Sequence, residues 1–333
     1  MKCIFTSDKN SLSTSDAILF RGRRLPSVTL PARLSHQKWI FYETEPPHKT
    51  WMFANLTKYN GLFNMTSTYA ADSHIPFARM KSCHRDWHIY NELSGDNFAA
   101  KKRKDVPVAW FASRCLTQSR REDYVKKLQE HIKVDIYGKC GDKQCGSNIR
   151  EDDCDKSLLH VEGSYKFYLS FENSICDDYV SEKLWKVLNL NVVPVVMGGV
   201  EYSNMMPKDS FIDVRDFDSA KALAKYISYL DSNDTAYNTM LRNKASLQCE
   251  ALTPIGNKVC NMCQRLHETK GRVSIVHALD AFWGSRRCLS PEVYHQTQAV
   301  DDFEVDLEEV KYASLTGGKR KGRDRNNSIE PRT

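Results

Sequence analysis

The sequence contains no long apolar stretch. A helix that crosses a membrane needs about 20 consecutive apolar residues, and no run of that length occurs among the 333 residues. The N-terminus also lacks the apolar core of a secretory signal. The sequence by itself therefore predicts neither a membrane span nor a targeting signal. Because 41% of the residues are hydrophobic, the chain can still form packed cores, and its length allows about two domains.

Basic clusters interleaved with aromatic residues, which would indicate binding to nucleic acid, are also missing. The clusters 101–104 and 319–325 contain Lys and Arg but no aromatic residue. We interpret them as a solvated linker and a solvated tail, and we expect no nucleic-acid partner. The net charge of +6 suits instead an anionic small molecule such as a sugar nucleotide.

Repeated metal-ligand spacings are likewise absent from the sequence. The eleven cysteines include one CxxC pair, Cys260 and Cys263, with no second pair to complete a zinc site. Asp152, Asp153 and Asp155 resemble a metal motif, but they lie in a loop rich in cysteine and glycine that is more typical of a solvated turn. We expect no metal site. Cysteines in this number indicate disulfides in a lumenal protein, with one thiol left over.

Asn-x-Ser/Thr triplets occur at Asn55, Asn64, Asn233 and Asn326. Each triplet alone is weak evidence because such triplets are common by chance. Together with the cysteines they favour the secretory route, and Asn55, Asn64 and Asn233 are candidates for glycosylation.

The most informative feature that the sequence does contain is the segment 165–199. An aromatic, alternating strand is followed by a polar turn, by a helix over about 178–188 with apolar residues on one face, and by the β-branched run 192–197. Such a run is typical of a strand buried in a parallel sheet. Ligands bind at the edge of the sheet where strands end and helices begin, and a helix N-terminus there offers N–H groups to phosphate. The segment therefore predicts a nucleotide site.

The same alternation continues around this segment, with strands at 107–112 and 134–137 and a helix at 119–131, and it argues for an α/β protein with a parallel sheet. Further helices are predicted over 219–230 and 235–247. The predicted organisation is an N-terminal α/β domain (1–104), a nucleotide-binding domain (105–270), a closing helix (271–288) and a disordered tail (289–333).

Several strings resemble the signature of the α1,3/4-fucosyltransferases, which transfer fucose from GDP-fucose. They include FENS at 171–174, the Tyr179-x-x-Glu182-Lys183-Leu184 helix, the PVV-x-GG turn at 194–199, and VDIYG at 134–138. The similarity extends over about residues 1–285, and its order and density identify the chain as a member of that family. The resemblance implies a glycosyltransferase-B-like fold, in which two Rossmann-like domains face a cleft.

The resembling enzymes are type II membrane proteins of the Golgi. Their anchor and stem have no counterpart in this sequence, and the similarity begins after the opening strand of the first catalytic domain. We therefore expect a fragment, splice form or incomplete gene product, located in the Golgi and attached to a membrane only through an anchor absent from this chain.

The resemblance also implies disulfide candidates. In the family the CxxC doublet is tied to N-terminal cysteines, one of which matches Cys3, so the candidates are Cys3, Cys260 and Cys263. The expected partner of Cys260 would lie upstream of this sequence, which leaves Cys249 or Cys288 as substitutes.

Transfer with inversion needs one carboxylate to remove the proton of the acceptor hydroxyl, and cations to take up the charge that grows on the diphosphate. By resemblance, Arg121 and Lys183 contact phosphate, and Glu182 contacts fucose and faces its developing positive charge. The other positions that the resemblance places around the donor are Tyr168, Asn173 and Tyr179. From residue type alone, Arg121 would be a surface helix arginine and Glu182 a first-turn glutamate that supports the helix dipole.

The catalytic base is expected on the acceptor side, in the loop after the strand 37–42. This loop offers Glu43 and Glu45, and strand alternation cannot choose between them. Glu45 is preferred because Glu45-Pro46-Pro47 matches the Glu-x-Pro of the family. Composition alone would make both residues solvated. Glu172, which adjoins Asn173 at a strand end, is expected to be structural.

The predicted function is therefore an inverting GDP-fucose-dependent α1,3-fucosyltransferase that acts on a glycan containing N-acetylglucosamine. The alternative is a catalytically impaired soluble derivative that binds ligand or partners without turnover; a third class, another sugar-nucleotide transferase of the same fold, is disfavoured. The resemblance implies no required cofactor, and a divalent cation would act only as a stimulant. The sequence does not choose between a Lewis-type acceptor and the core of an N-glycan.

Overall fold

The computed structural model describes residues 2–77, 81–145, 158–160, 162–251 and 258–296. Within these ranges the strands form two parallel sheets and one antiparallel pair. The strands are β1 (Ala17–Arg21), β2 (Lys38–Glu43), β3 (Met65–Thr68), β4 (Lys81–Arg85), β5 (Val108–Phe111), β6 (Val134–Tyr137), β7 (Phe167–Phe171), β8 (Val193–Met197), β9 (Ile212–Asp213) and β10 (Leu247–Ala251).

The helices of the described residues lie between these strands and after them. They are α1 (Pro47–Trp51), α2 (Trp87–Glu92), α3 (Arg121–Gln129), α4 (Glu182–Trp185), α5 (Ala220–Ser232), α6 (Asp234–Ala245), α7 (Lys258–Glu268), α8 (Leu279–Phe282) and α9 (Pro291–Gln296). In the part of the chain that the structure describes, none of them is both long enough and apolar enough to cross a membrane.

The first sheet has the order β1-β2-β3, and the second has the order β6-β5-β7-β8-β9. Every strand pair in both sheets is parallel. All residues of β7 and β8 are buried, as their apolar runs predict for strands covered on both faces. The predicted α/β class with two Rossmann-like sheets is confirmed, and it places the carboxyl ends of several strands at each sheet's ligand-binding edge.

Beside the first sheet lies an aromatic core that the C-terminal segment completes. Phe41 contacts Phe63 edge to face, and its ring centroid lies 6.3 Å from that of Trp283. The Trp283 indole donates to Thr50 Oγ1 at 3.0 Å, and Trp51 Nε1 donates to the Trp283 carbonyl at 2.7 Å. Buried indole N–H groups usually find such partners. The C-terminal segment is thus fixed onto the first sheet.

The closing helix predicted over 271–288 is much shorter in the structure, where α8 contains four residues. The residues before it are not helical, because Val276 N donates to Phe63 O at 2.8 Å and Gly61 N donates to Val276 O at 3.0 Å. These bonds to a distant loop replace helical bonds. The disordered tail predicted from 289 also needs correction, because Pro291–Gln296 form α9. Residues 297–333 lie outside the described residues, and the boundary near 104 stays a prediction.

Four disulfides join described cysteines: Cys3–Cys263, Cys83–Cys249, Cys115–Cys140 and Cys176–Cys288. The first bond joins Cys3 to a cysteine of the CxxC doublet, as the resemblance implied. Cys260, the remaining candidate, is exposed and free. Its two proposed substitutes are unavailable, because Cys249 is bonded to Cys83 and Cys288 to Cys176.

The three glycosylation candidates lie in different environments. Asn55 is exposed, and its side chain caps a short turn by accepting from Thr57 N. Asn64 is buried, with its amide nitrogen donating to Ser274 O at 2.8 Å. Asn233 caps α6 by accepting from Ala236 N. Whether any of them carries a glycan stays a prediction, and Asn326 and the acidic triplet near 153 lie outside the described residues.

Candidate functional site

One cavity of about 660 Å³ brings the predicted donor and catalytic residues together. It receives residues from the loop after β2 in the first sheet and from β5, β6, β7 and α4 in the second. Every residue that the sequence analysis placed at the site lines it: Glu45, Arg121, Tyr168, Asn173, Tyr179, Glu182 and Lys183. Lining residues that the sequence analysis missed include Phe111, Arg114, Tyr137, Lys139, Gln144 and Lys186.

The second sheet holds its side of the cavity through Glu172, whose carboxylate is almost completely buried just after β7. It accepts from Ser181 N at 2.7 Å and from Ser181 Oγ at 2.8 Å. Ser181 in turn caps α4. A buried carboxylate without partners would be costly, and here its partners are the first residues of the site helix. Glu172 is therefore a structural residue of the site, as expected.

Lys183 extends from α4 into this network. Its Nζ lies 2.8 Å from Ser181 Oγ, 3.4 Å from Glu172 Oε2 and 3.3 Å from Glu182 Oε1. The Lys183 side chain is 18% exposed and that of Glu182 is 64% exposed. The ammonium is held where it can meet an anion in the cavity. The helix that carries it is only one turn long, which is shorter than the predicted helix, so side chains rather than a long helix dipole supply the positive charge.

Arg121 is buried, which contradicts the expectation from residue type of a surface arginine. Its Nη1 donates to Phe171 O at 2.5 Å, and its guanidinium lies 5.4 Å from the Trp110 ring centroid. Burial lowers the pKa of Arg121 below its usual value, and the negative charge of Glu172 acts in the opposite direction. Among the described residues, the Arg121 Nε has no hydrogen-bond partner. The guanidinium is therefore fixed beneath the cavity with one donor unsatisfied.

An aromatic group forms another wall of the cavity. Phe111 packs edge to face against Tyr168 at 5.3 Å and against Tyr137 at 5.2 Å between ring centroids. The Lys186 ammonium lies 5.3 Å from the rings of both Phe111 and Tyr168. Lys186 follows Lys183 by three residues, and this spacing places two side chains on one face of a helical turn. The three-residue spacing from Lys183 could therefore have identified Lys186 as a site residue from the sequence.

Tyr179 and its turn contact the first sheet's loops. The Tyr179 ring lies 5.1 Å from the Tyr69 ring, and burial raises the pKa of Tyr179 well above its usual value. Asp178 has a positive φ of 59° and accepts from Ala71 N at 2.9 Å. Ser174 Oγ and His48 Nδ1 are 3.2 Å apart. The signature turn is therefore held by hydrogen bonds to loops of the first sheet, and it can adopt a strained backbone there.

On the acceptor side the structure separates the two candidate glutamates. Glu43 is fully buried, and its carboxylate accepts from Arg23 N at 2.9 Å, Thr44 N at 2.8 Å and Glu45 N at 3.1 Å. Glu45 lines the cavity instead, with its side chain 24% exposed and its Oε1 3.3 Å from Arg23 Nη1. Only Glu45 of this pair faces the cavity.

Two groups of described residues have side chains close enough to bind a metal. They are Cys3, Cys263 and His267, and His48, Cys176 and Cys288. In each group the two cysteines form a disulfide, so neither provides the thiolates that a metal would need.

Comparison with known proteins agrees with the geometry. The family model described as "Glycosyltransferase family 10 (fucosyltransferase) C-term" matches residues 100–283, and "Fucosyltransferase, N-terminal" matches residues 1–79. A solved structure of an α1,3-fucosyltransferase with GDP-fucose aligns with a TM-score of 0.50 and 16% identity, covering 79% of this chain and 80% of that one. At this identity the alignment supports a shared fold of the glycosyltransferase-B type.

Among curated relatives, alpha-(1,3)-fucosyltransferase C of Drosophila melanogaster is 32% identical over 290 residues, which cover 80% of this chain and 65% of the relative. GDP-fucose protein O-fucosyltransferase 3 of Xenopus tropicalis is 34% identical over 249 residues, covering 71% of this chain and 52% of the relative. The chain thus spans between half and two thirds of these relatives' lengths. With more than half of its residues matched by the C-terminal family model, the chain belongs to glycosyltransferase family 10, the fucosyltransferases.

Proposed function

We propose that the chain is an inverting α1,3-fucosyltransferase that moves L-fucose from GDP-β-L-fucose to a hydroxyl of a glycan containing N-acetylglucosamine. One observation carries the proposal. A single cavity is lined by a carboxylate from the first sheet, Glu45, and by the charged residues of the second sheet, Arg121, Glu182 and Lys183. Inverting transfer needs a base on one side of the sugar and cations around the leaving diphosphate on the other.

In the proposed reaction, Glu45 accepts the proton of the acceptor hydroxyl. The hydroxyl oxygen attacks the anomeric carbon of fucose, and the bond from that carbon to the diphosphate oxygen breaks. GDP leaves with the electron pair, and Lys183 with Arg121 stabilises the charge that develops on it. Glu182 lies beside Lys183 on α4 and stabilises the positive charge that the sugar ring gains in the transition state.

The donor is the part of this proposal that the cavity supports most strongly. Five lining residues are basic: Arg114, Arg121, Lys139, Lys183 and Lys186. Ammonium and guanidinium groups bind diphosphate oxygens without a metal. We therefore infer that GDP-fucose binds without a required cofactor and that a divalent cation acts only as a stimulant. Chelation should leave at least part of the activity.

The disulfides support a location in the secretory route. Four bonds among the described cysteines form and persist in oxidising compartments and are rare in the cytosol. We infer that the protein works in the Golgi lumen, where the resembling enzymes act. Imaging of a tagged chain in its native cells would test this inference, and a cytosolic signal would contradict it.

The experiment that tests the function is transfer of labelled fucose from GDP-fucose to a panel of acceptors. The panel contains N-acetyllactosamine, the chitobiose core of an N-glycan, and a peptide with Ser and Thr, because one relative is described as a protein O-fucosyltransferase. We expect an α1,3-linked product on a glycan. Transfer to the peptide alone would overturn the glycan assignment, and GDP binding without transfer to any acceptor would support the ligand-binding alternative. Transfer from UDP- or CMP-sugars in place of GDP-fucose would overturn the donor assignment.

A further inference from the structure

The Cys115–Cys140 disulfide joins two loops that both line the cavity. Cys115 lies in the segment after β5, and Cys140 lies in the segment after β6. Residues on both sides of the bond line the cavity: Ala112, Ser113 and Arg114 from the first loop, and Gly138, Lys139, Gly141 and Gln144 from the second. No other disulfide between two described cysteines joins two cavity-lining loops.

The second of these loops needs such support because β6 is an edge strand. In the described part of the chain β5 is the only strand that pairs with β6, over Val134–Tyr137, and on the other edge of β6 the loop's own Lys143 forms a bridge with Tyr137. Beyond the strand, the two loops are joined by Ala112 N donating to Tyr137 O at 2.8 Å and Cys140 N donating to Ala112 O at 3.1 Å. Among the described residues no second strand holds this loop from the other side of β6; the hydrogen bonds of Lys143 with Ile136 and Gly138 join the loop only to itself and to the end of β6.

The two loops also approach each other very closely. Gly138 has a positive φ of 99°, and a Cβ at this position would lie 2.8 Å from Ala112 O. Only glycine fits this backbone without strain or displacement. The position of one cavity wall therefore depends on a tight contact that the disulfide holds in place.

We propose that the Cys115–Cys140 disulfide positions the wall of the cavity that receives the nucleoside diphosphate, so that affinity for GDP depends on this bond more than folding does. The inference rests on the proposed function, because it takes GDP as the ligand. It adds two residues that touch no reacting atom but set the geometry of the donor site. Cys145, which also lines the cavity, is disulfide-bonded as well, and the test leaves that bond in place.

The Cys83–Cys249 disulfide is a matched control. It joins β4 to β10 at a directly paired position, and neither cysteine lines the cavity. Its sequence separation is 166, compared with 25 for Cys115–Cys140. A bond that closes a longer loop constrains the unfolded chain more strongly. The control bond should therefore matter more for stability and less for the ligand.

The test compares the full chain with the double variants Cys115→Ser/Cys140→Ser and Cys83→Ser/Cys249→Ser, measuring GDP affinity by calorimetry and Tm by thermal unfolding. We expect the first variant to bind GDP about tenfold more weakly, because a preorganised site is lost. The second should keep its GDP affinity within about twofold and show the larger fall in Tm. Weaker GDP binding in the first variant together with the larger fall in Tm in the second supports the proposal.

Equal GDP affinity in the first variant and the unaltered chain overturns the proposal, as does an equal loss of affinity in both variants. If the first variant does not fold, Gly138→Ala decides, because it disturbs the same contact between the loops while leaving all disulfides in place; unchanged GDP affinity in that variant overturns the proposal. If the unaltered chain itself binds no GDP, the proposed function fails instead.

Discussion

The two sides of the cavity share one feature, a buried glutamate at the end of a parallel strand. Glu43 ends β2 and Glu172 follows β7, and both side chains are excluded from solvent. Each carboxylate accepts from backbone N–H groups of the segment that carries a cavity-lining glutamate, Glu45 in one case and Glu182 in the other. In both halves a buried acid thus positions an accessible acid.

The difference between the two sides lies in the partners of the buried acid. Glu43 accepts from three backbone N–H groups; the Nε atoms of Arg23 and Arg21 lie 3.9 and 4.0 Å from it, but neither arginine lines the cavity. Glu172 accepts from Ser181 and also lies 3.4 Å from the Lys183 ammonium, which lines the cavity. The first sheet therefore positions its acid through the backbone, whereas the second positions a cation through side chains. Disturbing the first should impair the chemical step, and disturbing the second should impair donor binding.

The largest expected effect is on the acceptor side. Glu45→Gln keeps the size of the side chain but removes the base, so turnover should fall roughly 10²- to 10⁴-fold. Initial rates of fucose transfer at saturating GDP-fucose measure this. Glu268→Gln, which changes an exposed glutamate outside the cavity lining, is the control and should leave transfer unchanged. Near-normal transfer by Glu45→Gln would contradict the assignment of Glu45 as the base.

A slightly smaller effect is expected at the cation. Lys183→Ala removes a preorganised charge from the diphosphate site, so kcat/KM for GDP-fucose should fall about 10²- to 10³-fold. Lys208→Ala, a charge change outside the cavity lining, is the matched control. If Lys183→Ala and Lys208→Ala have equal kcat/KM, the positive side of the cavity has been assigned to the wrong residue.

The two buried acids give the sharpest test of the comparison. Glu172→Gln should raise the KM for GDP-fucose about tenfold, because a charged partner of Lys183 is replaced by a neutral one. Glu43→Gln should lower kcat while leaving the KM for the donor nearly unchanged, because the Gln amide cannot replace every acceptor that orients the loop of Glu45. Steady-state kinetics separate these outcomes. Identical changes in kcat and KM for both variants would show that the two acids play one general structural role.

The smallest effect is expected where the two sides meet. His48 lies against Ser174, and burial lowers the pKa of His48 to about 4 from its ordinary value of 6.5. The unfolded chain therefore takes up a proton between pH 6.5 and 4 that the folded chain does not, so stability is lost as pH falls through this range. His48→Gln should reduce this loss by a few degrees of Tm. Parallel Tm curves from pH 7 to 4 for both proteins would contradict this role.

The sequence predicted much of this site because its motifs follow strand ends. The FENS string starts at the last residue of β7, and the Glu-Lys helix begins directly after its N-cap Ser181, so the chain's topology brings them together. The length of α4 could not be predicted in the same way. Apolar spacing continues to Leu188, but the helix ends at Trp185, and buried lysines from distant segments bond the carbonyls that follow: Lys244 to Leu190 O and Lys102 to Asn191 O.

Two other features of the site could not be predicted either, because they depend on residues that are distant in the sequence. Whether Glu43 or Glu45 faces the cavity depends on Arg23, which comes from a different part of the chain. The aromatic wall of Phe111, Tyr137 and Tyr168 combines three strands of the second sheet, and no local pattern in the sequence reveals that they meet. Local sequence patterns predict helices, strands and the ends of strands. Contacts between side chains of different elements can be predicted only once the fold is known.

The most direct test of the central claim, that the first sheet supplies the base and the second binds the donor, is a titration of GDP into Glu45→Gln and Lys183→Ala. Calorimetry gives the Kd of each variant and of the unaltered chain under the same conditions. We predict an unchanged Kd for Glu45→Gln and a Kd raised about tenfold or more for Lys183→Ala, because in the proposed complex Lys183 contacts the diphosphate and Glu45 does not. Weaker GDP binding by Glu45→Gln, or unchanged binding by Lys183→Ala, would contradict this division of roles.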